Sequence, residues 1–154
     1  MIQRIQTLWF LITALLTGLL IPGSLLHFSG GKGIDYLIGF SGMFKSEAGV
    51  RDLLARLYPV AIIVLIIIAL SLISIFLFKK RNIQKILTIV IILLSCILII
   101  TLAYSSYKLN SNLRVEFVPT VKMIIPFFIP LTAYMSYRGI SRDENLIKSY
   151  DRLR

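Results

Sequence analysis

Charged positions along this chain fall at intervals that leave three apolar stretches of one length. Arg4 to His27, Arg56 to Lys79 and Lys85 to Lys108 each enclose 22 residues free of Asp, Glu, Lys, Arg and His. At 1.5 Å rise per residue a helix of that length covers about 33 Å, enough to cross a hydrocarbon core of roughly 30 Å. The pattern predicts spanning helices over residues 5–26, 57–78 and 86–107. A fourth apolar stretch, 117–137, contains Lys122 and three prolines, Pro119, Pro126 and Pro130. It is expected as a bent spanning helix, because neighbouring helices can satisfy the carbonyls that prolines free. The expected fold class is an all-α membrane protein: a four-transmembrane-helix bundle forming one membrane domain over residues 1–154. A short extracytoplasmic β-hairpin after helix 1 and a cytoplasmic amphipathic C-terminal helix complete it.

The polar segments carry their own signals. Within the loop 27–56, the β-compatible runs 25–29 and 35–40 flank Gly30-Gly31-Lys32-Gly33, a turn signal, and predict a hairpin. Val50, Leu53, Leu54 and Leu57 then follow helical i, i+3, i+4, i+7 spacing, which predicts an interfacial helix before helix 2. Ala14 and Gly18 form a small-xxx-small pair that would let a neighbouring backbone approach, and Pro22-Gly23 should kink or finish helix 1. Pro59 falls in the first turn of helix 2, where proline costs little. In the tail, 138–154, Ser141-Arg142-Asp143-Glu144 fits a capping box, and Leu146, Tyr150 and Leu153 recur at i, i+4, i+7. A short helix lying at the membrane surface is the expectation there.

Composition agrees with this pattern. The chain has 154 residues, 57% hydrophobic, with a net charge of +10, and its mean hydropathy is +0.86. In a soluble protein that charge would point to nucleic acid. Here the charges separate apolar segments, so they read as topology signals and contacts to anionic lipid headgroups, with no nucleic acid implied. Four basic residues crowd the connector 79–85 and five the tail 138–154, against four in the thirty-residue loop 27–56. The contrast places both termini in the cytoplasm. The first apolar stretch is longer than the h-region of a signal peptide and lacks a small-x-small cleavage site, so it is expected to be retained.

Chemistry-bearing residues are few. No pair of carboxylates, Ser/His/Asp set or phosphate-cradling loop can be assembled, and Cys96 with His27 cannot build a four-ligand metal site. No cofactor is implied. Lys122, inside the fourth stretch, is expected to extend its stem toward the headgroups, and His27 reads as an interface residue. Thr13, Thr17, Ser71, Ser74, Thr88, Ser95 and Thr101 are expected to bond backbone carbonyls or neighbouring helices rather than line a pore.

Three stretches resemble a known family: the opening Met1-Ile2-Gln3-Arg4-Ile5-Gln6-Thr7, the connector Lys79-Lys80-Arg81-Asn82-Ile83-Gln84-Lys85, and the close from Arg142 to Arg154. They are similar to the uncharacterised four-helix membrane family called domain of unknown function 4293, found in Bacteroidota and their relatives. The resemblance implies a bacterial inner (cytoplasmic) membrane protein and supplies no activity. Under the expected topology all three stretches share the cytoplasmic side. Arg4, Arg81, Gln84, Asp143, Glu144, Asp151 and Arg152 would there form a platform in which the tail acids contact Arg4, Arg81 or Gln84. The expected role is a non-enzymatic accessory or scaffold protein that docks another membrane protein or a protein complex on that face. A small oligomeric transporter or channel is the alternative, and an intramembrane enzyme on lipid-linked substrate, using Lys122 or His27, a further one.

Overall fold

The computed structural model describes residues 3–30, 33–47, 50–77, 80–113 and 115–151. Four α-helices and five strands make up these residues, the first four strands consecutive. Helix α1 (Gln3–Gly18) leads through a tight turn into β1 (Ser24–Ser29), β2 (Ile34–Gly39), β3 (Gly42–Glu47) and β4 (Val50–Arg56). Then come α2 (Tyr58–Phe76), α3 (Arg81–Leu113), β5 (Glu116–Val118), a single 3-10 turn (Val121–Ile124) and α4 (Ile125–Asp151). Each helix packs on two others, α1 on α2 and α4, and α3 on α2 and α4. The strands form one antiparallel sheet in the order β4-β3-β2-β1-β5. Connectivity puts this sheet where α1 and α3 end and α2 and α4 begin.

The all-α, four-transmembrane-helix expectation is therefore wrong on two counts: a five-stranded sheet is present, and among the described residues two helices, α2 and α3, are long and apolar enough to cross a membrane. At 16 residues α1 is about 24 Å long, short of a roughly 30 Å core. It stops early because Pro22 and Gly23 punctuate the stretch read as its last turn. Gly23, at φ 75°, takes the left-handed turn that sends the chain into β1. The fourth stretch divides into β5, the 3-10 turn and α4, and only Pro130 lies inside a helix beyond its first turn. Lys122 accordingly sits in the 3-10 turn and not in a spanning helix.

The predicted hairpin exists, with Leu26 opposite Ile38 and Phe28 opposite Tyr36, but it is two strands of five. The interfacial helix over 50–57 does not; that segment is strand β4, exposed throughout and paired with β3. Its helical spacing is produced by an irregularity. The register slips between Met43 and Phe44, whose partners are Ala55 and Leu53, which leaves Leu54 as the extra residue of a bulge. Two consecutive leucines thus mimic the i+3, i+4 pair of a helix.

Helix α3 extends well past both predicted ends, to 33 residues and about 50 Å. Most of the expected connector 79–85 is its first turn. Likewise α4 runs unbroken through Gly139 and Ser141, so the tail is no separate helix and the capping box is not a start signal. Between the helices the interior is unusually polar. Thr13, Thr17, Ser71, Ser74, Thr88, Ser95, Thr132 and Ser136 are buried, while Ile62, Leu65, Ile66, Leu93, Ile97 and Ile100 are exposed. Thr13, Thr17, Ser74, Thr88, Ser95 and Thr101 donate to carbonyls of their own helices, whereas Ser71 Oγ is buried with no hydrogen-bond partner among the described residues. Thr13 also bonds Thr132 across α1 and α4 at 2.9 Å. Gly18 has open space around it, so the Ala14/Gly18 pair marks no close approach.

Candidate functional site

Opposite the sheet, the start of α1, the end of α2, the start of α3 and the C-terminal part of α4 converge. The first turn of α3 contains no acid, and Arg81 and Lys85 oppose the positive end of the helix dipole there. The missing negative charge comes from α4. Lys85 Nζ pairs with Glu144 Oε2, both side chains about three-quarters buried. Arg81 Nη1 reaches the backbone carbonyl of Asp143 at 3.4 Å. The Asp143 carboxylate, 7% exposed, turns the other way and accepts from Gln6 Nε2 on α1.

Gln84, 3% exposed, ties in the fourth helix by donating to the Ser74 carbonyl at 3.1 Å, while its own carbonyl accepts from Thr88 at 2.7 Å. Gly139 makes room for this knot, since a Cβ there would lie 3.1 Å from Gln6 Cγ. Two acceptors, Asp143 Oδ1 and Gln84 Oε1, are buried without a hydrogen-bond donor among the described residues. Around the knot, Lys80, Arg138 and Arg142 are exposed. The arrangement can fix the relative positions of four helix ends and present basic side chains outward. Among the described residues it groups no set of three His, Cys, Asp or Glu that could hold a metal ion.

Of the residues singled out in the sequence, Arg81, Gln84, Asp143 and Glu144 thus meet here. Arg4 and Asp151 lie on α1 and α4 with side chains outside the described set, and Arg152 lies outside the described residues altogether. Of the contacts expected for the tail acids, Arg81 meets Asp143 through its main-chain carbonyl, while Arg4 has its side chain outside the described set; Gln6 and Lys85 are further side-chain partners, of Asp143 and Glu144. Both sit inside the motif stretches. Gln6 is a buried amide near the start of α1, and Lys85 is the last charge before the apolar stretch of α3.

The other sequence candidates are at the sheet end. His27 Nε2 lies 3.4 Å from Asp35 Oδ2 on the neighbouring strand, without hydrogen-bond geometry, and both side chains are partly exposed. Lys122 Nζ donates to the Pro22 carbonyl at 2.5 Å, joining the two chain turns that enter and leave the sheet. On β3 the hydrogen bond to Glu47, then the charge of that carboxylate, holds the exposed Lys45 ammonium above the usual lysine range.

The model of the family described as domain of unknown function DUF4293 matches residues 2–153. The chain belongs to that family. No curated protein and no solved structure matches it. DUF4293 membership spans all four helices, the sheet and the knot at once, so these are parts of one family unit and not a membrane anchor joined to a separate domain. It attaches no chemistry to any of the knot residues.

Proposed function

We propose that this DUF4293 chain is a non-enzymatic accessory or scaffold protein of the bacterial inner membrane, multi-pass, with both termini cytoplasmic. Its cytoplasmic end docks another membrane protein or a protein complex. The observation that carries the reading is the knot of Gln6, Arg81, Gln84, Lys85, Asp143 and Glu144. It ties one end of the helices together through polar groups, Gln6, Gln84 and Asp143 among them buried, and leaves Lys80, Arg138 and Arg142 outward. Such an end is a preformed surface, whose partner need not be bound by a disordered segment that orders at a cost. The distribution of side chains supports the membrane setting: isoleucine and leucine cover the outside of α2 and α3, and serine and threonine share the inside with Val60, Val64, Ile67, Ile91 and Leu98. Contiguous apolar surface on that scale is a liability in water. Hydroxyls spent on helix carbonyls leave little to line an aqueous path, which favours a scaffold over a transporter. Density of basic residues at the knot end supports the cytoplasmic placement.

Affinity purification from native membranes in mild detergent, quantified by mass spectrometry, tests the role. One membrane protein or complex should co-purify in near-stoichiometric amount, and Arg138→Glu with Arg142→Glu should deplete it while the chain remains folded. A partner profile identical in wild type and variant would overturn the docking role.

A further inference from the structure

Two grooves flank the C-terminal half of α3 at the sheet end. One, about 400 Å³, is bounded by Leu26, Phe28, Leu102, Phe117 and Phe127 and has no charged residue in its wall. The other, about 450 Å³, lies between α3 and β4, with Met43, Leu54, Leu57 and Leu109 among its apolar walls and, among the described residues, Arg56 and Lys108 as its charges. Both volumes fall within the range of roughly 300–1,000 Å³ typical of ligand sites, so size does not separate them. Charge does.

Arg56 and Lys108 also hold a special position in the chain. Arg56 is the last charge before the 22-residue charge-free stretch of α2, and Lys108 the first after that of α3. The short link 77–80 makes α2 and α3 antiparallel neighbours, so both cations stand at the same end of the two apolar helices. That is the depth at which phosphate groups lie when acyl chains are in the core. Arg56 is steadied by Tyr58 at the α2 start, whose hydroxyl accepts from Nη1 at 2.9 Å and whose ring lies 5.9 Å from the guanidinium carbon. Tyr104, exposed on α3 one turn before Lys108, adds an amphipathic ring at the same level. A cationic rim over an apolar floor fits an amphiphile with an anionic head.

We infer that the groove between β4 and α3 is a binding site for one anionic phospholipid, its phosphodiester held by Arg56 and Lys108 and one acyl chain lying against Leu54, Leu57 and Leu109. The site rests on the membrane setting proposed above, and not on the docking role.

The full chain, reconstituted in vesicles of phosphatidylethanolamine and phosphatidylglycerol and released into mild detergent, can be weighed with its retained lipid by native mass spectrometry. Wild type should keep one phosphatidylglycerol in preference to phosphatidylethanolamine. Arg56→Gln with Lys108→Gln should cut that preference by about tenfold or more, since each cation near a lipid surface contributes on the order of 1 kcal/mol. The charge-conserving pair Arg56→Lys with Lys108→Arg should keep most of it, and Ala103→Trp, which fills the uncharged groove, should leave it unchanged. Inorganic phosphate in excess should not displace the lipid; displacement would make the ligand a free anion and overturn the proposal. Equal retention of the two lipids by wild type, or an undiminished preference in the Gln pair, would overturn it as well. A chain that never enters the vesicles would sink both this site and the membrane setting, whereas insertion without lipid preference sinks the site alone.

Discussion

Asp143 is the most consequential side chain in the knot, because its carboxylate is buried and its described partner is an amide. Removing it leaves the Gln6 amide buried without an acceptor, a cost of about 1–3 kcal/mol. Asp143→Leu should therefore lower the thermal unfolding midpoint in detergent, and adding Gln6→Leu should recover part of the loss. Strict additivity in that double-mutant cycle would mean the two side chains are not coupled. Lys85 and Glu144 are somewhat more exposed, at 24% and 22%. Their pairing is expected to contribute about 1 kcal/mol, less in high salt. Lys85→Glu should destabilise, Glu144→Lys on that background should restore, and both effects should shrink as salt is raised. Gly139 acts by absence: Gly139→Leu would push α1 from α4 and is expected to cost about 1–3 kcal/mol in the same assay. Gln6 and Lys85 show where sequence reasoning stopped short. Arg4, Arg81 and Gln84 are the partners the sequence suggests for the tail acids, yet the Asp143 carboxylate is served by Gln6, because an uncharged donor is cheaper to desolvate than a guanidinium.

At the scale of elements, α2 was legible almost to the residue, since its boundaries coincide with Arg56 just before it, Pro59 in its first turn and the basic connector after it. The other helices were misjudged at their ends. Charged residues mark the limit of an apolar stretch, not of a helix, and α3 and α4 carry their polar termini onward as helix because nothing there breaks the hydrogen-bond ladder. Ser141 tests this directly. As an N-cap its change to Ala would cost about 1 kcal/mol; inside α4 it should be within roughly 0.5 kcal/mol of neutral. Thermal unfolding and helix content by circular dichroism decide between the two. Strands β3 and β5 were not foreseen at all. Each is short, and β5, only three residues long, acquires its identity from pairing with β1, where Phe117 stands opposite Phe28 with ring centroids 5.4 Å apart. No local pattern can announce a strand whose partner is about ninety residues away.

Taken whole, the molecule has a polar knot at one end, a sheet at the other, and apolar helix surface between. The proposed orientation follows from those ends and can be read with thiol labelling on a Cys96→Ser background. Ser46→Cys, on β3, should react only from outside the cell, and Arg142→Cys, beside the knot, only from the cytoplasm; the reverse pattern would invert the topology. The knot has one more implication, which concerns the order in which the chain is made. Gln6 and Asp143 are 137 residues apart, and synthesis proceeds at about 5–20 residues per second, so the amide of Gln6 waits on the order of 10 s for its carboxylate. Thr13 waits nearly as long for Thr132. Until α4 emerges, α1 has only α2 to pack on, with two buried polar groups uncovered. Of the four helices described, the earliest made is thus the last to be locked, and between the synthesis of α1 and that of α4 the nascent chain is an open intermediate.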